Sequence, residues 1–391
     1  ATTSASNYLQ TIFRVQTPGC IGARQKTDCY VFDFAPDRTL SMVAEAARIS
    51  SGVGHTTEYD REIMAEFLNF CPVISLDGSS MVPYDVGRML KQLKKAYVER
   101  VVRSGFDDNR LYNNKLEWLD KTDLSRFEKL RKIIGSTKQS QKIEKIDINV
   151  QGFTKEEYEQ AKKDERKPKK ELTPEQRARQ EKLKEIRKNR EKAISILRGI
   201  SIRIPLLIYG AELKEDEHIT LHNLTSKIDD VSWAEFMPAG IDKVLFRSFI
   251  KFYDPDIFEA AGVRIREVTE AADQLPIESR IKRIAEIFSH FRNPDKETVL
   301  TPWRVVNMQL SDCLGGYDFF DETHTNVLDS PRFVNRGTVT VETVANPNAR
   351  ILELNAKTGL YSLYVAYSLY KSRISRYRHK DRDLECQIWQ Q

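Results

Sequence analysis

Cysteine is scarce in this sequence: five among 391 residues, at positions 20, 29, 71, 313 and 386, with no pair at C-x-x-C spacing. An odd, scattered set argues against a disulfide framework or a zinc ribbon and for a reducing compartment. No uninterrupted apolar run approaches the roughly 18 residues of a membrane span, and no charged-then-apolar signal segment opens the chain. Secretion and membrane insertion are therefore not expected, and a cytoplasmic location is. No repeat of fixed period is present, which excludes solenoids and propellers. There is no G-x-x-x-x-G-K-[ST] loop and no acidic companion after a strand. The pair Lys357-Thr358 lacks the preceding glycines that would cradle phosphates, so the chain alone is not expected to hydrolyse ATP. An initiator Met is also missing and an organised motif begins within ten residues, so the chain reads as a fragment.

What is present is a soluble, globular composition, 40% hydrophobic and 30% charged, long enough for two or three domains. The charge is uneven. Between Lys155 and Lys192 stand 15 Lys and Arg against 10 Asp and Glu, an excess equal to the net +5 of the whole chain. A basic segment can follow a phosphate backbone through counterion release. Interleaved acids make a solvated charged helix an equal alternative.

The apolar pattern predicts a mainly helical chain. Asp28–Phe34 (DCYVFDF) reads as a strand and residues 39–49 as a helix. Helices follow at 58–70 and 85–103, the second with Val86, Leu90, Leu93, Tyr97 and Val101 on one stripe. Residues 105–135 also read as helical, with Leu116, Leu119, Leu124, Phe127, Leu130 and Ile133 inside. Thr173-Pro174-Glu175-Gln176 offers an N-cap, a proline at the first helical position and a reciprocal capping Gln. It predicts a long polar helix from 174 to about 198, lying across a surface because its apolar stripe is thin. Ile200–Tyr209 (ISIRIPLLIY) reads as a strand bent at Pro205, residues 244–252 as helical, and residues 277–291 as an amphipathic helix.

At the N-terminus, Tyr8-Leu9-Gln10-Thr11-Ile12-Phe13-Arg14-Val15-Gln16-Thr17 resembles the last signature motif of superfamily-two helicases. There a Gln and an Arg at Q-x-x-x-R spacing open a helix at the cleft between two RecA-like lobes. A positioned Arg stabilises charge on a transferring phosphoryl group. The resemblance implies that role for Gln10 and Arg14; the family's second Arg falls on Thr17.

Toward the C-terminus, Thr301-Pro302-Trp303-Arg304-Val305-Val306-Asn307-Met308 resembles the T-P-x-x-V-x-x-M segment that precedes the catalytic fold of adenine-specific DNA methyltransferases. About fifty residues on, residues 349–359 (ARILELNAKTG) read as a buried strand and a turn, followed by an apolar helix from 360 to 370. In a Rossmann-like fold that order brings the backbone close to an S-adenosyl cofactor. The resemblance implies cofactor contacts at Thr301, Pro302, Glu353, Asn355, Thr358 and Gly359. Lys357 stands where the family has its first glycine, and a Cβ there restricts close approach. The catalytic N-P-P-[YF] is absent: Asn346-Pro347-Asn348 and Asp254-Pro255-Asp256 are turns. The variant is similar to that of bacterial restriction–modification helicase–methyltransferase fusion enzymes.

Other candidates are bland. His218 and His222 lie in an extended pattern and read as exposed rather than metal-binding. Glu212-Leu213-Lys214 has no acidic partner that would make it a nuclease site. Trp233, Phe236 and Met237 read as packing. The expected architecture is mainly α with partial α/β ends. Residues 1–45 would be the tail of a second RecA-like lobe, 46–150 a helical coupler and 151–198 a basic helical segment. Residues 199–295 would be a mixed connector, and 296–391 the beginning of a Rossmann-like methyltransferase. Implied ligands of the complete enzyme are DNA, ATP with Mg and S-adenosylmethionine, and the other partners would be the missing domains of the same chain. DNA contact is expected from Lys182, Arg187, Lys188 and Arg190. The alternative is a non-catalytic helical nucleic-acid-binding or scaffold protein.

Overall fold

The computed structural model describes residues 85–136, 173–211, 217–293, 300–354 and 358–378 almost without interruption, together with scattered residues between 10 and 83, Ile146, Glu157, Gln160, Ala161 and Leu213. The readings at 28–34, 39–49, Glu212, Lys214, Asn355 and Lys357 lie outside the described residues. The chain is mainly helical and divides into two compact units, Ala1–Ile265 and Arg266–Gln391. Among the described residues the strands form three antiparallel pairs: β1 (Cys20–Ile21) with β2 (Arg24–Gln25), β3 (Ile74–Asp77) with β4 (Ser80–Pro83), and β5 (Gly316–Phe320) with β6 (Val327–Val334).

In the first unit, α1 (Val86–Arg103) starts where the Asp85 carboxylate accepts from the Arg88 N–H at 2.7 Å. Its apolar stripe is buried as the spacing predicts: Leu93, Tyr97 and Val101 line the core with Met89. The next segment is not a continuous helix. Two 3-10 turns, Asn109–Leu111 and Asn114–Glu117, are capped by the side chains of Asp108 and Asn113, and only then does α2 (Lys121–Ser136) begin. Asn and Asp compete with helix by bonding nearby backbone N–H groups, which accounts for the break.

The capping box at Thr173 is present in both directions, and α3 runs from Pro174 to Ser201, through the boundary expected at 198. Its first half is largely exposed. Its second half is not a surface helix, because Ala193, Ile194, Ile196, Leu197 and Ile200 are buried. The strand expected at Ile200–Tyr209 is helical instead, as the end of α3 and α4 (Ile204–Gly210), with Pro205 in the first turn. Pro without an N–H is suited to that position, and burial on all sides removes any amphipathic period. Pro174–Gly210 is the one described helical stretch long and apolar enough to cross a membrane, and most of its apolar 18-residue window is buried within the protein.

Short helices α5 (Leu224–Lys227), α6 (Asp230–Phe236) and α7 (Lys243–Arg247) follow, the last two capped by Asp229 and Asp242. Trp233 and Met237 are buried, and Phe236 packs against the core, as read. The helix α8 (Pro255–Asp273) begins at a turn whose Asp254 carboxylate accepts from the Ile257 N–H at 3.0 Å.

The second unit contains α9 (Ile277–His290), α10 (Trp303–Cys313), the β5–β6 hairpin, α11 (Thr338–Glu342) and α12 (Leu360–Arg378). The buried strand expected after residue 349 is absent. Residues 349–354 have no strand partner among the described residues, and Leu352 and Leu354 are 82% and 81% exposed. The helix from 360 is present.

Candidate functional site

The second unit brings together the two segments that carry the methyltransferase resemblance. Pro302 starts α10, its carbonyl accepting from the N–H groups of Val305 and Val306 at 2.8 and 3.1 Å. Trp303, Val306 and Asn307 point inward, whereas Met308 is exposed. The Trp303 ring meets Phe319 of β5 edge-on at 5.3 Å and Tyr364 of α12 at 6.3 Å. Asn307 accepts from the Phe319 N–H at 2.9 Å and donates to the Trp303 carbonyl at 2.8 Å, so one amide side chain ties helix to strand. The Tyr364 hydroxyl donates to the Gly315 carbonyl at 2.9 Å, and Ser368 Oγ accepts from the Tyr317 N–H at 3.0 Å. Gly316 is required here. Its φ is +100°, and a Cβ would stand 2.6 Å from Ser368 Oγ.

The turn ahead of α12 holds three of the expected cofactor residues. The Glu353 carboxylate accepts from the Ser362 N–H at 2.9 Å and from the Ser362 hydroxyl, so it occupies the first turn of the helix. Gly359 has φ +69°, and a Cβ there would meet nothing within 4 Å. Thr358 is half-buried beside it. Thr301 is half-buried at the entry to α10, but among the described residues no hydrogen bond joins Thr301 or Pro302 to Glu353, Thr358 or Gly359.

A polar cluster that the sequence does not announce lies under the β5–β6 hairpin. The Asp318 carboxylate is fully buried. It accepts from Arg332 Nη2 at 2.7 Å and from the Phe320 N–H at 3.0 Å, and it lies 3.0 Å from His324 Nε2. Ser311 Oγ lies 3.4 Å from the same nitrogen. A serine–histidine–aspartate relay needs the serine and the carboxylate on opposite ring nitrogens, so this is not one. Arg332 Nε also donates to the Phe320 carbonyl at 2.8 Å, and the cluster closes the hairpin. The loop at its tip is organised by Asp321. The Thr325 N–H, then the Asn326 and Thr323 side chains, hold its carboxyl down to about 2. Elsewhere, burial works to raise the Glu278 carboxyl, but bonds from Lys371, its own N–H and the Tyr367 hydroxyl hold it below the ordinary range.

In the first unit, Gln10 and Arg14 are helical and exposed. Lys182 and Lys188 are exposed on α3 and Arg187 is half-buried. Arg190 is turned inward, its Nε 3.8 Å from Glu117 and its Nη2 3.4 Å from the Tyr112 carbonyl. His218 and His222 are exposed, and among the described residues no group of three His, Cys, Asp or Glu could hold a metal ion. Neither a family model, nor a curated protein, nor a solved structure matches the chain.

Proposed function

We propose that this chain is part of a DNA restriction–modification enzyme that links an ATP-driven DNA translocase to an adenine methyltransferase. In this reading the first unit couples the two and touches DNA, and the second begins the S-adenosyl-binding fold. The observation that carries it is the acid–turn–glycine–helix arrangement of Glu353, Thr358, Gly359 and α12, with the left-handed Gly359 leaving open space beside the turn. A backbone without a Cβ there admits close approach of a ligand. Glu353, Asn355, Thr358 and Gly359 would hold S-adenosylmethionine, which supplies the methyl group for an adenine amino nitrogen. Gln10 and Arg14 would belong to the cleft of the motor.

Calorimetric titration of the purified chain with S-adenosylmethionine tests the reading. Weak, saturable binding that disappears in Gly359→Val is expected, since a β-branched residue at φ +69° both strains the turn and fills the approach. Absence of any heat, or binding indifferent to the substitution, removes the methyltransferase end. The second reading, a non-catalytic helical nucleic-acid-binding or scaffold protein, is favoured by residues 351–354 having no strand partner among the described residues, and it predicts no binding at all.

A further inference from the structure

Helix α1 carries six basic residues, Arg88, Lys91, Lys94, Lys95, Arg100 and Arg103, against a single acid, Glu99. That is as large an excess as the whole chain possesses, gathered into 18 residues. Part of it has an ordinary explanation. Arg100 and Arg103 lie in the last turn, where cations favour the helix dipole, and Arg100 pairs with Asp108 at 3.2 Å. Lys94 pairs with Asp256 at 3.5 Å. Lys91 and Lys95 have neither explanation. They stand in the first ten residues of the helix, away from the turn where the dipole would favour them. Both are exposed, one helical turn apart, and neither has an ion pair among the described residues. The one acid is outnumbered where it stands, because Glu99 is shared by Arg103 at 4.0 Å and by Arg264 of α8.

The opposite face of α1 is fixed. Met89, Leu93, Tyr97 and Val101 are fully or almost fully buried, so the cations ride on a helix whose position is set by the core. From Arg88 to Arg103 the helix rises about 22 Å at 1.5 Å per residue. One DNA strand presents a phosphate about every 3.4 Å of helix axis, so that length faces about six phosphates. No large apolar side chain of α1 from Met89 onward is among the exposed ones, which disfavours insertion into a lipid surface and base stacking alike.

We infer that α1 is a phosphate-backbone track for duplex DNA, centred on Lys91 and Lys95 and continued by Arg103 and Arg264. The inference rests on the DNA-processing reading above, but it moves the main contact away from the Lys155–Lys192 stretch. There Arg190, at least, is committed to Glu117 and to a backbone carbonyl. Contacts of this kind carry no base specificity.

The test is fluorescence anisotropy of a labelled duplex titrated with the full chain at several salt concentrations. Wild type, Lys91→Gln with Lys95→Gln, and Lys91→Arg with Lys95→Arg would be compared. Each phosphate contact contributes a slope of about −0.9 to log K against log salt, so the glutamine pair should flatten the slope by about 2 and the arginine pair should preserve it. Both sites are exposed, and an unchanged thermal midpoint checks that the fold is intact. Wild-type binding with the glutamine pair unaffected overturns the track and leaves the DNA reading standing. No duplex binding by wild type at low salt overturns both. Binding to phosphatidylserine vesicles without duplex binding reassigns the face to a membrane and also overturns it.

Discussion

Two apolar runs, Ile200–Tyr209 and Ile351–Leu354, carry the same message as sequence, and neither is a strand. The first is a buried helical corner: Ile204, Leu206, Leu207 and Ile208 are all inside, and the embedded Arg203 donates to the Gly199 carbonyl at 3.0 Å. The second is extended, with Ile351, Leu352 and Leu354 in solvent. A mostly apolar run states that a segment is meant to be covered; it does not state the geometry of the cover. In the first unit α3, α6 and α8, at Gly262, supply that cover. Around residues 351–354 the described residues supply none.

Three substitutions would break or sharpen the contrast. Leu207→Ala should be the most damaging, at about 2–5 kcal/mol, since a buried leucine leaves a cavity that its neighbours fill only in part. A fall in the urea midpoint with unchanged slope is the expected readout, and a loss below 1 kcal/mol would mean that the corner is loosely packed. Gly199→Ala comes next. The new Cβ would lie 2.3 and 2.7 Å from the Ile134 side chain, which is β-branched and stiff. Overpacking of about 1–3 kcal/mol outweighs the gain of about 1 kcal/mol in helix propensity, for a net loss of about 1 kcal/mol. A more stable variant would show that α2 can move away from α3. Leu352→Ser should matter least, within about 0.5 kcal/mol of wild type, as for any exposed side chain. If thermal unfolding shifts by more than the range of a surface change, something covers this segment in solution.

Local signals were legible and collective ones were not. The Thr173–Gln176 capping box and the apolar stripe of α1 depend on residues three or four apart, and the structure reproduces them; α9 is a helix as read, with Ile281 and Phe288 buried but Ile277 in solvent. Residues 105–120 misled because apolar spacing persists through a segment that Asp108 and Asn113 break into 3-10 turns. The start of α8 was readable but missed: Asp254-Pro255 is an N-cap followed by proline, the same grammar as Thr173-Pro174. Of the candidate site, the helix after Gly359 is present and the strand expected before it is absent, because a strand needs a neighbour that no local pattern names. The charge on α1 escaped for an arithmetic reason. Summing all residues outside 155–192 cancels it against acids elsewhere, whereas phosphates respond to local density.

One small bridge has a consequence for the order of folding. Tyr112 and Tyr253 pair as an isolated antiparallel bridge, flanked by the Asn113 N–H to the Phe252 carbonyl and the Asp254 N–H to the Leu111 carbonyl, each at 2.9 Å. Ser201 lies between the two phenols, 2.7 Å from one hydroxyl and 2.9 Å from the other, so three distant stretches meet at one buried point. Joining positions 140 residues apart, as the Asn113 amide to the Tyr253 carbonyl does, carries a loop-closure cost that grows to about 4 kcal/mol before any constant is added. On a ribosome, α1 and α2 therefore emerge with their inner faces bare and wait for residues beyond 253 to be made. The native topology of this unit thus needs the residues beyond 253, and the interval before they are made is when its apolar faces are most open to aggregation.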